Sequence, residues 1–394
     1  MTTPARILYL HTTSEVGGSD VSLVRLIEGL DRSRYQALVL LPSDGPLVSR
    51  LRDAGAEVRI SPRLRKLTSR RGWGYLFWWA ICYPSAVWWL RGVIRRERIA
   101  LVHTNTIHNL YGGPASWLAR VPHVWHVREI VWQKGWLRRL ELWMTRRMAS
   151  RIVATSEAVA GMYGPPGARP SSLVIISNGV ETDRFTPGEA PAVRLALGGS
   201  DDTVLIGLVC RLDVWKGVET FLDAAALVAA DCPAARFAVV GGAIVGLEAY
   251  GAALRQRASA LALGDRLVWT SWTYGPAAMP DVHRALDMVV LASSEPEPFG
   301  LVVVEAMASA RPVVATAHGG PCELVEPGST GLLVPPSDPA AMAAAIRRLI
   351  DDPALAARMG AAGRVRAVEH YSAHVYVSRV LALYDDVCAQ RGAA

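Results

Sequence analysis

Along most of the chain, short apolar runs alternate with stretches whose apolar positions recur three and four residues apart, separated by loops holding Gly, Pro, Asp or Ser. The first kind reads as buried strand and the second as amphipathic helix, because side chains return to one face every second residue in a strand and about every 3.6 residues in a helix. The front half predicts strands at 6–10, 35–41, 57–60, 99–103, 123–127, 151–155 and 173–176, with helices at 21–30 and 46–54. The rear half predicts strands at 204–210, 237–240, 266–269, 288–292 and 312–315, with helices at 338–351 and 373–387. Strands this apolar, separated by helices, belong to parallel sheets covered on both faces. From Thr186 to Pro191, two prolines and a glycine make a short, stiff connector. A chain of 394 residues exceeds one ordinary core, so the pattern predicts an α/β protein of two doubly wound domains.

Two stretches depart from this rhythm. Residues 72–90 carry no formal charge and include Trp73, Trp78, Trp79, Trp88 and Trp89, bracketed by Arg70, Arg71, Arg91, Arg95, Arg96 and Arg98. Between Val131 and Met148, Trp132, Trp136, Leu140, Trp143 and Met144 recur at helical spacing beside Lys134, Arg138, Arg139, Arg146 and Arg147. A membrane span takes about 20 apolar residues. Pro84, Ser85, two glycines and the density of Trp fit a headgroup interface better than hydrocarbon, and a span would split the domain. Charge adds to this picture. Residues 1–185 hold 26 Lys and Arg against 13 Asp and Glu, a balance of +13, whereas the remainder holds 16 against 22, or −6. The plain alternative is that both stretches pack on the sheet, Trp inward and Arg outward. The excess of positive charge predicts instead a peripheral contact with an anionic membrane surface through 72–98 and 131–151, serving a lipid-linked or membrane-surface acceptor. No recognised nucleic-acid motif accompanies the charge, so no nucleic acid is expected as a partner.

The five cysteines are widely spaced and form no C-x-x-C pair, which points away from a disulfide framework or zinc site and towards a reducing compartment. Ahead of His11 only Ile7 to Leu10 are apolar, short of a secretion signal's core. The expected location is cytoplasmic, peripheral on the inner face of the cytoplasmic membrane.

Candidate chemistry gathers at strand ends. After the strand at 288–292, Phe299 and Gly300 lie where the chain must turn into a helix whose first amides suit an anion such as phosphate, with Leu301 opening the helix. Glu297 in the loop and Glu305 on the helix supply carboxylates, which accept from hydroxyl groups; taken alone, such acids are as readily caps or solvated surface. Arg211 and Lys216 follow the strand at 204–210, two cations placed to neutralise a diphosphate. Gly17 and Gly18 follow the first strand and permit close backbone approach, though a Gly-Gly pair by itself is a plain turn.

The segment Ser294 to Ala308, with Glu297 and Glu305 eight residues apart around Phe299 and Gly300, resembles the E-x7-E signature of retaining glycosyltransferases of family 4. Arg211 to Gly217 is similar to the family's G-R-L-x-x-x-K-G, with Cys210 in place of the usual glycine. His318, Gly319, Gly320 and Glu323 resemble its G-G-x-x-E loop, and Asn178, Gly179 and Val180 its N-G-V segment.

The resemblance implies the GT-B fold, two Rossmann-like domains facing across a cleft. These are an acceptor-side domain at 1–185, a nucleotide-sugar domain at 186–372, and a final helix in 373–394 packing back on the first. It implies a donor site of Gly17, Gly18, Arg211, Lys216, Glu297, Phe299, Gly300, Leu301, Glu305, Gly319 and Gly320. Glu297 would hold the donor sugar and Glu305 the ribose. The catalytic group would be Glu297, His126, Arg211 and Lys216. The run Trp125 to Glu129 is similar to the segment whose histidine contacts the transferred sugar, which singles out His126, and the acceptor side would comprise Asn105, His126, Arg128 and Glu129. His103 and His108 are expected to be structural. Transfer would retain the anomeric configuration, with the leaving phosphate taking the acceptor's proton. No D-x-D pair or His-carboxylate cluster occurs in the chain, so no metal and no cofactor are expected beyond the donor substrate. Other readings are a non-catalytic membrane-surface binding protein of the same fold, a nucleotide-sugar epimerase, or a phosphorylase, for which no lysine beyond Lys216 is suitably sited.

Overall fold

The structure, a computed structural model, describes residues 4–15, 17–67, 72–131 and 135–392. The chain divides into two compact units, Met1–Gly179 with Ala373–Ala394, and Val180–Ser372. The break lies ahead of the boundary expected after residue 185. Val180 donates its N–H to the Tyr371 carbonyl at 2.8 Å, and the Phe185 ring is buried in the second unit's core, so 180–185 belongs there.

The first unit runs β1 (Ala5–Leu10), α1 (Gly18–Glu28), β2 (Tyr35–Leu41), α2 (Pro46–Asp53), β3 (Glu57–Ile60), α3 (Gly72–Arg96), β4 (Ile99–Thr104), α4 (Gly112–Ala119), β5 (His123–Val127), α5 (Trp136–Met148), β6 (Arg151–Ala154), α6 (Glu157–Ala160) and β7 (Leu173–Ile175). Its seven strands lie in the order β3-β2-β1-β4-β5-β6-β7, and every pairing is parallel. Alternate residues face opposite layers. Leu8, Leu10, Trp125 and Val127 pack with α3, α4 and α5, while Ile7, Tyr9 and Val124 pack with α1, α2 and the last helix. A one-residue slip of β1 would exchange these sets, so burial on both faces pins the register.

The uncharged stretch at 72–90 is the body of α3, which continues through Pro84. Trp79, Ala86, Val87, Leu90, Val93 and Ile94 form its inner stripe. Pro84 sits on the exposed side, where a lost ladder bond is cheapest. Among the described residues no helix is long and apolar enough to cross a membrane. Arg70, Arg71, Trp132 and Lys134 lie outside the described residues.

The second unit runs α7 (Pro191–Ala196), β8 (Val204–Val209), α8 (Val218–Asp231), β9 (Ala235–Val240), α9 (Glu248–Ala260), β10 (Leu267–Trp269), α10 (Met279–Ala285), β11 (Met288–Leu291), α11 (Leu301–Ala308), β12 (Val313–Thr316), α12 (Pro321–Leu324), β13 (Leu332–Val334), α13 (Pro339–Asp351) and α14 (Pro353–Tyr371). Its sheet, β10-β9-β8-β11-β12-β13, is again parallel throughout. Asp338 caps α13 by accepting from the Ala341 N–H at 2.9 Å, which is why the helix begins one residue after the acid. The closing helix, α15 (Ala373–Gly392), belongs to the first unit, burying Tyr376, Val380 and Tyr384 against the face that carries Tyr9.

Candidate functional site

In an open parallel sheet, the place where strand order reverses leaves a crevice at the carboxyl ends of the two central strands. The second unit reverses between β8 and β11, and the first between β1 and β4. The candidate residues fall at these two edges.

In the second unit, β8 leads through Arg211 to Lys216 and β11 leads through Ser293 to Glu297. Lys216 Nζ lies 2.7 Å from Glu297 Oε2, with the side chains 15% and 10% exposed. The Ser293 hydroxyl donates to the same oxygen at 2.9 Å, and the Lys216 ammonium rests 3.9 Å from the Trp215 ring centroid. An ammonium carries three protons and a carboxylate about four lone-pair directions, so this pair still offers donors and acceptors. The chain comes this close because Gly217 has no side chain. A Cβ there would lie 1.9 Å from the Ala292 carbonyl oxygen, and its φ of +64° is left-handed. Arg211 is half exposed, with Asp213 the nearest carboxylate at 4.0 Å. Cys210 is partly buried, and desolvation pushes its thiol up to about 12, which keeps it uncharged.

The loop ahead of α11 is knitted to the loop after β12. Glu297 donates its N–H to the His318 carbonyl at 3.1 Å and accepts from the Gly320 N–H at 2.7 Å. Gly319 permits this contact, since a Cβ on it would lie 2.3 Å from the Glu297 carbonyl oxygen. Gly300 is the N-cap of α11 and Leu301 its first residue. Phe299 departs from the donor-contact expectation: its ring is buried under α14, edge-on to Tyr371 at 6.1 Å, so only its backbone remains at the turn. Glu305 lies further along α11, its Oε2 at 3.6 Å from the Nε2 of the fully buried His283 on α10.

The first unit's edge is a polar network centred on Arg128. Arg128 is 6% exposed. Its guanidinium donates to Asn105 Oδ1 at 2.8 Å, to the Tyr376 hydroxyl at 2.7 Å and to Asn178 Oδ1, and one nitrogen lies 3.3 Å from His126 Nδ1. Asn105 donates to the Ser19 carbonyl at 3.2 Å. Glu129 accepts from the Thr106 hydroxyl at 2.6 Å and from the Ile107 and Arg128 N–H groups at 3.2 Å each, so it ties the loop after β4 to the loop after β5.

Two expectations are corrected here. His126 does not face outward: the ring is wholly buried between His103 and Tyr376, at ring-centre distances of 5.3 and 6.3 Å. Burial, then the Arg128 charge, hold it neutral far below its ordinary titration range. Its position inside β5 turns the ring into the layer that holds α15, beside Tyr376. Nor does Gly17 present its amide: that N–H donates to Asp20 Oδ2 at 2.6 Å, and Asp20 also pairs with His11. An acid on that turn occupies the donor that a phosphate would need. Gly18, the next residue, opens α1 and is exposed. His103 and His108 are bound within the unit, to the Tyr384 hydroxyl at 2.5 Å and to Glu141 at 2.8 Å.

Ser293, Trp215 and His283 were not singled out from sequence. Ser293 and Trp215 adjoin the strand end and the lysine, a local signal that was readable. Tyr376 and Asp20 join the first network, and only Asp20, three residues past Gly17 as in a capping box, had a local signal.

The family profile described as Glycosyl transferases group 1 matches residues 194–366, and that described as Glycosyltransferase Family 4 matches residues 16–184. The D-inositol 3-phosphate glycosyltransferase of Rhodococcus opacus (strain B4) is 32% identical over 71% of this chain and 67% of its own length. That of Geodermatophilus obscurus is 38% identical over 51% of this chain and 46% of its own length, so the matched part spans about half of this relative. Among solved structures, Anabaena HepE in complex with UDP and glucose is 27% identical, with a TM-score of 0.81 over 96% of this chain and 99% of that one. Sucrose-phosphate synthase from Thermosynechococcus elongatus, at 23% identity and a TM-score of 0.78 over 98% and 100%, shares the fold.

Proposed function

The chain belongs to glycosyltransferase family 4, group 1, with the two Rossmann-like domains of the GT-B fold, and from this premise we propose that it moves a sugar from a nucleotide-sugar donor to an acceptor hydroxyl with retention of configuration and without a metal ion. The observation that carries the reading is the Lys216–Glu297 pair at the reversal point of the second sheet, beside the exposed Arg211. Arg211 and Lys216 offset the charge that builds on the diphosphate as the glycosidic bond breaks. Glu297 accepts from hydroxyls of the donor sugar and Glu305 from the ribose. Gly300, Leu301, Gly319 and Gly320 line the turn that receives the phosphates. The acceptor oxygen forms the new bond on the face the diphosphate leaves, and its proton passes to the departing phosphate oxygen.

The acceptor in this reading is a lipid-linked or cell-surface glycan, met at an anionic membrane surface through 72–98 and 131–151. The names of the curated relatives favour a second acceptor, a phosphorylated cyclitol. The test is a panel of uridine and guanosine diphosphate sugars, scored by thermal stabilisation and slow donor hydrolysis in the presence of a chelator, followed by acceptor panels of both kinds. One donor class should stabilise the chain and be hydrolysed, and Glu297→Ala should abolish most turnover. Indifference to every sugar nucleotide, or activity only with magnesium or manganese, overturns the reading.

A further inference from the structure

One layer of the first unit, built by α3, α4 and α5, has an unusual outer surface. α3 is apolar on both sides. Opposite its buried stripe it exposes Phe77 (71%), Ile81 (62%) and Trp88 (57%), which follow one line along a helix at i, i+4 and i+11. α4, packed between α3 and α5, exposes Trp117 (69%), a residue outside both stretches that stood out in the sequence. α5 adds Trp136 and Trp143, both more than half exposed and two turns apart. Scattered exposed apolar residues are ordinary, whereas large aromatic side chains concentrated on one layer mark an interaction surface.

The charges on this layer have one sign. α3 and α4 contain no acidic residue, and the only one in α5, Glu141, is buried against His108. Arginines lie beside the exposed rings: Arg91 is 4.9 Å from the Trp88 ring centre and Arg65 is 4.8 Å from that of Trp78.

We propose that the outer face of α3, α4 and α5 is a docking surface for an anionic lipid bilayer, with α3 lying flat at headgroup level, Phe77, Ile81 and Trp88 entering the acyl boundary, and the surrounding arginines meeting lipid phosphates. This deepens the membrane part of the proposed function and is independent of the transfer chemistry. The sign of the charge selects the occupant. A second copy would bring two faces of arginines together, and like charges across an interface repel. A nucleic acid would match the arginines and leave Phe77 and Ile81 in water. A bilayer with acidic headgroups satisfies both the apolar line and the cations beside it.

The experiment is co-sedimentation of the full chain with vesicles of phosphatidylglycerol or of phosphatidylcholine, for the parent and for the Phe77→Ser, Ile81→Ser, Trp88→Ser triple variant. The parent should bind the acidic vesicles more than about tenfold tighter than the neutral ones, with salt weakening the contact, and the variant should lose about tenfold or more on acidic vesicles. Far-UV circular dichroism and donor hydrolysis in vesicle-free buffer should be unchanged in the variant. Should the variant misfold, tryptophan quenching by brominated phosphatidylglycerol in the unaltered chain reads the same contact, and quenching is expected. Equal binding to both lipids, a folded variant that sediments like the parent, absence of quenching, or a face that instead drives dimerisation would overturn the inference. Donor hydrolysis without vesicle binding sinks this inference alone, and vesicle binding without any response to sugar nucleotides sinks the transferase reading alone.

Discussion

The two sheets reverse their strand order in the same way, yet the polar groups at their carboxyl edges are in opposite condition. At the first edge, Arg128 is buried and held by Asn105, Asn178 and Tyr376, and Glu129 is filled by three donors. At the second edge, Arg211 is half exposed, and Lys216 and Glu297 hold each other within reach of solvent. A completed buried network stiffens its surroundings and is costly to interrupt, while partly satisfied charge at a strand end is free to meet a ligand. The same topology therefore carries buried, engaged polar groups in one unit and more exposed, partly satisfied charge in the other.

The strongest test of this contrast is a pair of arginines. Arg128→Leu strands the buried polar groups around it and should cost about 3–5 kcal/mol of stability, seen as a lower urea midpoint. Arg211→Leu should move that midpoint by less than about 0.5 kcal/mol while cutting turnover. Equal effects on stability would erase the distinction.

Next in size is Lys216→Ala, expected to lower kcat/KM about one hundred- to one thousandfold, or about 3–4 kcal/mol of transition-state stabilisation. A loss confined to KM would mean that the cation binds the donor without stabilising the departing diphosphate.

The third test is pH. Burial holds the imidazoles of His103, His123 and His126 neutral, with His123 lowered to about 3. The unfolded chain takes up a proton at each below about pH 6.5. The folded state then binds fewer protons, so stability is full above that value and is lost as pH falls towards the folded values, by about 1.4 kcal/mol per pH unit for each histidine. His123→Phe should remove one such share from the slope between about pH 6 and 4, measured by urea unfolding at several pH values. An unchanged slope would show that His123 does not stay neutral when folded.

The smallest expected effect is that of Glu129→Gln, about 1 kcal/mol in stability and little in turnover. A large loss of kcat there would move Glu129 from the frame to the substrate and blur the comparison.

Much of the fold was legible in the sequence because strands apolar on both faces and helices with a buried stripe leave different periods, and those periods are local. Strand and helix ends moved by a residue or two where a cap intervened, as at Asp338. The 72–90 stretch was harder, since an uncharged, Trp-rich run shows no solvated face; only packing showed that Trp79 and Leu90 turn inward while Phe77 and Ile81 turn out. At the site, Arg211, Lys216, Glu297 and the Gly319–Gly320 turn could be placed from their position after strands. His126 was misjudged because, one residue short of a strand end, a single step in register decides which layer a side chain enters.

The sequence by itself determined the order of elements, the family and the cations and acids that follow β8 and β11, all of which depend on neighbours a few residues away. The tertiary structure decided which polar groups are already engaged. Asn178 and Tyr376 reach Arg128 only because the segment after β7 and the first turn of α15 come up to the loop after β5, and Asp20 takes the Gly17 amide once α1 has formed. Whether a charge is open to a ligand depends on partners distant in the chain, and no local pattern records them.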